Sequence, residues 1–243
     1  MRRLIPILLA LFSCYPQMKA PSTDAFTAEQ LEGNTALAHS LSGFMNAKAD
    51  TVELDLVLAK SLDRALLHAR NLDEDDWRRG AAWFFGRVDG ARVPTETKLT
   101  VLLEPEAAWK ERWENGDRLT GQPALDELIT SLDIQVEPGS RFYGGYYHLT
   151  VPREVNVWAL ENKLGKTPGF SIITGWDEYE WGNPLRISED AWIRPEARVG
   201  GWKLKVGIGW GDCPAGCIDA RVYLVDVDAS GATSVSASGD PLP

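Results

Sequence analysis

The sequence predicts an α+β protein, and three observations predict it. Apolar residues recur at helical spacing through the first part of the chain, up to about residue 92. Between about 97 and 181 the spacing switches repeatedly between a two-residue and a 3.6-residue period, and from about 198 it alternates as strands. The composition fits a folded chain: 243 residues, 44% hydrophobic and 25% charged. That balance excludes a disordered tail, a collagen-like fibre and a polytopic membrane protein. Acidic side chains number 35 against 25 basic ones, for a formal charge of −10. Nucleic acid is excluded as a partner on this ground, because a net negative surface repels phosphates.

The first element is an address. Arg2 and Arg3 precede the apolar run Leu4 to Phe12, about nine residues where a bilayer crossing needs about 20. The run is the right length for a signal-peptide core. It leads into Leu11-Phe12-Ser13-Cys14, which resembles the lipobox of bacterial lipoproteins. The resemblance implies a signal peptide over 1–13, cleavage before Cys14, and a diacylglycerol on the Cys14 sulfur that holds the protein in the lipid bilayer of the cell envelope. Phe12 is bulkier than the motif's usual residue. Ordinary secretion is the alternative, although Met18-Lys19-Ala20 puts Met where a small residue belongs. Loss of Arg2 and Arg3 with the signal makes the mature chain two charges more negative, so the acyl chains and not electrostatics would supply the anchoring.

Residues 14–26, with Pro, Ser and Thr and little periodicity, read as a tether. A helical region over 27–92 follows. Thr27-Ala28-Glu29-Gln30 has the form of a capping box, with Leu37, Leu41, Phe44 and Met45 on one face behind it. Asp50-Thr51-Val52-Glu53 repeats that form ahead of Leu54, Leu58, Leu62, Ala65, Leu66 and Ala69. A third start lies at Asp73-Glu74-Asp75-Asp76, with Trp77, Ala81, Phe84 and Val88 on the buried side. Four acids there complement the positive end of a helix dipole, which is simpler than a calcium or catalytic cluster.

The middle region, 97–181, reads strand, helix, strand, strand, helix, strand. Leu99, Val101 and Leu103 alternate; Pro105 and Glu106 open a short helix with Trp109 and Trp113; Pro123 opens another with Leu125, Leu128, Ile129 and Leu132. Ile134 to Val136 is a strand. After Gly144-Gly145, Tyr147, Leu149 and Val151 alternate with Tyr146, His148 and Thr150. Asn156 caps a helix with Val157, Leu160 and Leu164 that stops at Gly165, and Phe170, Ile172 and Thr174 line the last strand. Two split units in this order give a ferredoxin-like β-α-β-β-α-β domain, a four-stranded antiparallel sheet with helices on one face.

The stretch Tyr146-Tyr147-His148-Leu149-Thr150-Val151-Pro152, then Val155-Asn156-Val157-Trp158-Ala159-Leu160-Glu161-Asn162-Lys163-Leu164, then Pro168-Gly169-Phe170 resembles the propeptide and inhibitor domain of subtilisin-type proteases. The resemblance covers about a third of the chain. It implies a domain whose sheet packs on the protease and whose C-terminal tail enters the substrate cleft. Here no protease domain follows, and the chain runs on into a further module.

The C-terminal region, 198–243, reads as a small β module. Trp202, Leu204, Val206 and Ile208 alternate, a loop follows, and Ile218 to Val227 returns. The string Gly209-Trp210-Gly211-Asp212-Cys213-Pro214-Ala215-Gly216-Cys217-Ile218 is similar to a tail of uncharacterised secreted bacterial proteins, a likeness that implies no known activity. With Cys14 lipidated, Cys213 and Cys217 remain as a pair across a Pro- and Gly-bearing turn, which favours a structural disulfide. A metal site needs about four ligands, and His39, His68 and His148 are all distant in sequence. Asp226-x-Asp228-x-Ser230-Gly231 echoes a calcium loop, but its twelfth position is Ala237 where a bidentate Glu is needed. It reads as a hairpin turn.

No catalytic pattern stands out. Gly-x-Ser-x-Gly is absent, Gly144-Gly145 lacks the spacing and lysine of a phosphate loop, and the carboxylate pairs at Asp177-Glu178-Tyr179-Glu180 and Glu189-Asp190 show no set separation. The expectation is a non-catalytic protein without cofactor or metal. Two binding surfaces are candidates: Tyr143, Tyr146 and Tyr147 along one edge of the middle sheet for a protein or peptide partner, and the late tryptophans, Trp176, Trp181 and Trp210 among them, for a glycan. The first reading is a polypeptide-binding envelope lipoprotein, with a protease-inhibitor-like module as its narrower form. The second is a carbohydrate- or wall-binding lipoprotein, and the third an envelope hydrolase whose site no standard motif marks.

Overall fold

Helix α1 (Ala28–Met45) starts at Thr27, whose hydroxyl accepts from the Gln30 amide at 3.2 Å while the Gln30 side chain accepts from the Thr27 N–H at 2.9 Å. This is the predicted capping box. The computed structural model from which this description comes covers residues 15, 17–138, 146–175, 186–188, 190–211, 213, 217–231 and 233–243. Helix α2 (Leu56–Arg70) starts later than the sequence predicts. Its cap is Asp55, whose carboxylate accepts from Val57 and Leu58, and not Asp50-Thr51. The reason is Val52, which is drawn away into the core of the middle unit. Helix α3 (Asp75–Phe85) buries Trp77, Ala81 and Phe84 as its spacing predicts, and Phe85 with them; Val88, predicted on the same side, is buried just beyond the helix end.

The end of the chain forms a five-stranded antiparallel sheet: β5 (Arg186–Ser188), β6 (Ala191–Arg198), β7 (Gly201–Trp210), β8 (Asp219–Asp228) and β9 (Thr233–Gly239), in that spatial order. The sheet therefore begins at Arg186, ahead of the expected boundary at 198. Pro195 lies inside β6, where a missing N–H would break a ladder. Strand β5 pairs only with Ala191 and Trp192, so at Pro195 one edge of β6 carries no described partner strand. The Asp228-to-Gly231 segment is the expected hairpin turn, with Asp228 Oδ1 accepting from the Ser230 amide at 2.8 Å and Gly231 at φ 88°.

One hydrophobic core joins the two ends of the chain. Leu37, Leu41, Leu58, Leu62, Leu66, Trp77 and Phe84 from the helices pack with Ile193, Trp202, Leu204, Val206, Ile208, Tyr223, Val225 and Val227 from the sheet. Polar ends of the large rings find partners, as burial requires. Trp202 donates to Ser61 Oγ at 2.9 Å, Trp77 donates to the Ala69 carbonyl at 2.7 Å, and Tyr223 donates to the Asp76 carbonyl at 3.2 Å. Gly80 makes the last contact possible: a Cβ there would stand 2.6 Å from the Tyr223 ring.

Part of the predicted tether belongs to this core. Met18 is 2% exposed. Arg64 donates to its carbonyl at 2.5 Å, the Lys19 amide donates to the Ala229 carbonyl at 2.8 Å, and His68 Nε2 lies 3.0 Å from the Lys19 carbonyl. Burying one methionine and satisfying these backbone groups fixes residues 18 and 19 against α2.

The middle unit lies between the two halves of that core in sequence. It comprises β1 (Thr97–Leu103), α4 (Lys110–Glu114), α5 (Pro123–Ser131), β2 (Gln135–Pro138), β3 (Tyr146–Val151), α6 (Val157–Gly165) and β4 (Phe170–Gly175). The strands order as β2-β3-β1-β4 with every neighbouring pair antiparallel. Its own core gathers Leu99, Val101, Leu103, Trp109, Trp113, Leu125, Ile129, Tyr147, Leu149, Val151, Leu160 and Leu164.

Helix α1 meets α6 at the junction. Asn156 caps α6 through its Oδ1 and donates from Nδ2 to the Asn46 carbonyl at 3.0 Å. Arg153 makes a bidentate pair with Glu53 at 2.7 and 2.8 Å, His39 Nδ1 lies 2.7 Å from Glu154, and Phe44 stands edge-on to Trp158. Donating to the Glu53 carboxylate raises the pKa of the Arg153 guanidinium above its ordinary value.

Candidate functional site

A cleft of about 510 Å³ opens at one end of the five-stranded sheet, lined by Trp83, Ser188, Asp190, Trp210, Gly211 and Cys213. Four parts of the chain build it. The last turn of α3 supplies Trp83, Arg87 lies just beyond it, the end of β5 and the turn into β6 supply Ser188 and Asp190, and the end of β7 supplies Trp210.

The Asp190 carboxylate organises the site. It accepts from Arg87 Nε at 2.9 Å, from Ser188 Oγ at 2.5 Å and from Trp83 Nε1 at 3.1 Å, and Arg87 Nη2 completes a bidentate pair. Burial pushes the carboxyl pKa up, but the bonds from Arg87, Ser188 and Trp83 outweigh it, and Asp190 sits below its usual value. Arg87 also donates to the Trp83 carbonyl at 2.9 Å and lies 5.2 Å from the Trp83 ring centre. Trp83 is thus held at its indole N–H, its backbone and one ring face. Trp210 meets it with ring centres 6.3 Å apart and planes at 49°. Because Arg87 neutralises Asp190, the cleft offers two indole surfaces beside polar atoms with little net charge. Such a surface stacks on a flat or ring-shaped partner and hydrogen-bonds at its rim.

Cys213 and Cys217 form the disulfide beside this cleft. The bridge lies close over β7, where a Cβ on Gly209 would stand 2.5 Å from Cys217 Sγ. Glycine at that position lets the loop fold back on its own strand.

The second candidate surface is the sheet of the middle unit. Strand β3 sends Tyr147, Leu149 and Val151 into the core and Tyr146, His148 and Thr150 to the other face. The register places Tyr146 beside Leu102 and His148 beside Thr100 and Glu137. His148 Nδ1 and Thr100 Oγ1 lie 3.3 Å apart. None of Thr100, Leu102, Tyr146, His148 and Thr150 on this outer face belongs to either hydrophobic core. Tyr147 therefore does not share a docking surface with Tyr146. It is 5% exposed and packs on Trp113 with ring centres 5.1 Å apart, and burial together with the nearby Glu114 charge raises its hydroxyl pKa. Tyr143, Trp176, Trp181 and Cys14 lie outside the described residues.

The remaining sequence candidates have structural surroundings. The acidic run before α3 pairs Asp73 and Asp75 with Arg78 and Asp76 with Arg221. His39 and His68 bridge to Glu154 and to the Lys19 carbonyl. Among the described residues no group of three His, Cys, Asp or Glu side chains is placed to hold a metal ion, and no helix is long and apolar enough to cross a membrane. Trp83 and Asp190 are the residues whose partnership the sequence hides, since 107 positions separate them. No protein-family model, no curated protein and no solved structure matches the chain.

Proposed function

We propose that this is a non-catalytic lipoprotein of the cell envelope, anchored through acylated Cys14, whose middle unit binds another polypeptide in the manner of a protease-inhibitor module. The reading takes that unit as ferredoxin-like. The β2-β3-β1-β4 order, its antiparallel neighbours and the two helical crossovers support that arrangement. The observation that carries the functional reading is the outer face of this sheet. Its core is complete on the helix side, while Leu102, Tyr146, His148, Thr100 and Thr150 line the other side half-buried at most. A broad sheet face with an aromatic and an aliphatic side chain at its centre suits a flat polypeptide surface.

The test is inhibition of a subtilisin-type protease by the mature protein, with intact mass read before and after. The expected result is stoichiometric inhibition with the chain uncut. Leu102→Asp then weakens inhibition at least tenfold, which is about 1.4 kcal/mol, while the melting temperature stays near that of the parent. Absence of inhibition, or rapid cleavage of the chain, overturns the reading.

The Trp83–Trp210 cleft favours a second reading, a module that binds a cell-wall glycan. Two indole surfaces beside a neutralised Asp–Arg pair match the apolar faces and hydroxyl rim of a pyranose. Titration with cell-wall oligosaccharides should change tryptophan fluorescence in the parent protein and not in Trp210→Ala. A panel of glycans that leaves the parent spectrum unmoved removes this reading.

A further inference from the structure

The way the N-terminal segment is docked gives the molecule a direction. Met18 is buried, and Arg64 and His68 in the second half of α2 hold the Met18 and Lys19 carbonyls. At its other end the same segment reaches the start of α2. The Tyr15 hydroxyl donates to Asn46 Oδ1 at 3.4 Å, and Asn46 Nδ2 donates to Asp55 Oδ2 at 3.4 Å. Asp55 is the N-cap of α2. Met18 and Lys19 therefore lie against the second half of α2 while the Tyr15 hydroxyl reaches toward its start, and Cys14 is the residue before Tyr15 in the sequence.

Two large apolar side chains stand out at that corner. Leu56 is 62% exposed and Val57 51% exposed, the first two residues of α2 directly after its cap. They do not contribute to either core. Elsewhere on α2 the apolar residues Leu58, Leu62, Leu66 and Leu67 are buried.

We infer that Leu56 and Val57 contact the lipid bilayer and orient the protein with the start of α2 against the membrane. The inference rests on the lipoprotein reading of Cys14. On that reading the diacylglycerol is carried by the residue next to Tyr15, whose hydroxyl is held toward the start of α2 through Asn46 and Asp55. The corner carrying Leu56 and Val57 is then brought to the interface with each insertion. Apolar side chains gain there by leaving water, and they add to the acyl anchor as a second membrane contact. The acidic charge of the chain makes anionic lipid a poor partner, so the contact is with the apolar part of the interface.

The test uses the full-length acylated protein with Val57→Cys carrying an environment-sensitive fluorophore, and a second sample labelled at Glu74→Cys. Glu74 caps α3 without a side-chain hydrogen bond and is exposed. It follows the far end of α2, a helix of 15 residues or about 22 Å in length. Both are bound to phosphatidylcholine vesicles containing a lipid with a nitroxide high on its acyl chain, and intact mass reports the diacylglycerol. The expected result is severalfold greater quenching, with a blue shift, at position 57 than at 74. Equal quenching at both positions, or none at 57 while the mass shows the lipid in place, overturns the orientation and leaves the lipoprotein reading standing. A mass without lipid overturns both.

Discussion

Residues 27–92 produced alone should remain unfolded, whereas residues 96–175 produced alone should fold. The helices of the first segment bury Leu58, Leu62, Leu66, Trp77 and Phe84 against strands that begin a hundred residues or more after them in the chain. Without β6, β7 and β8 those side chains face water, and helices of 11 to 18 residues are marginal in isolation. The middle unit loses only Val52 from its core when excised. Far-UV circular dichroism with thermal melting checks both. Cooperative melting of 27–92 by itself would refute the shared core.

Trp202→Ala should lower stability by about 3–5 kcal/mol, and the melting temperature by roughly 10 °C for a chain of this size. Trp202 is 1% exposed and is among the largest fully buried side chains. It stands on β7 where the sheet meets α2, with its indole N–H on Ser61. Truncation removes that hydrogen bond and opens a void between sheet and helix. Calorimetry on the parent and variant reads the difference. A shift of only one or two degrees would mean that the two layers close over the gap, and that this residue is not the principal contact between them.

Much of the element order was legible because periodicity is a local property. The buried faces of α1, α2 and α3, the cap at Thr27, the Asn156 cap and the alternation of β7 follow from spacings of two to four residues. What covers each face is not local. A 3.6-residue stripe of leucines reports that α2 is covered and says nothing of whether α1, the middle unit or β8 covers it. The start of α2 differs for a related reason: Asp50-Thr51 satisfies the local capping rule, but Val52 packs in the core of the middle unit and the cap is Asp55. Strands β5 and β6 escaped because one is three residues long and the other contains Pro195. In the candidate cleft Trp210 stood out by its glycine-rich surroundings, and Asp190 by its acidic neighbour Glu189. Trp83 carries no local signal, since the bond that turns it toward Asp190 joins residues 107 positions apart. Tyr146 and Tyr147 were grouped by adjacency, although neighbours on a strand face opposite ways.

The placement of the middle unit between the two halves of one core sets an order of assembly. A chain delivered from its N-terminus presents α1, α2 and α3 first, with their leucines uncovered. The middle unit, contiguous apart from Val52, is completed next. Tyr223, Val225 and Val227 arrive near the end, and only then does the first core close. A ribosome thus holds an open helical half for most of the time the protein takes to be made. That interval is when a chaperone or a protease meets apolar surface which the finished molecule hides.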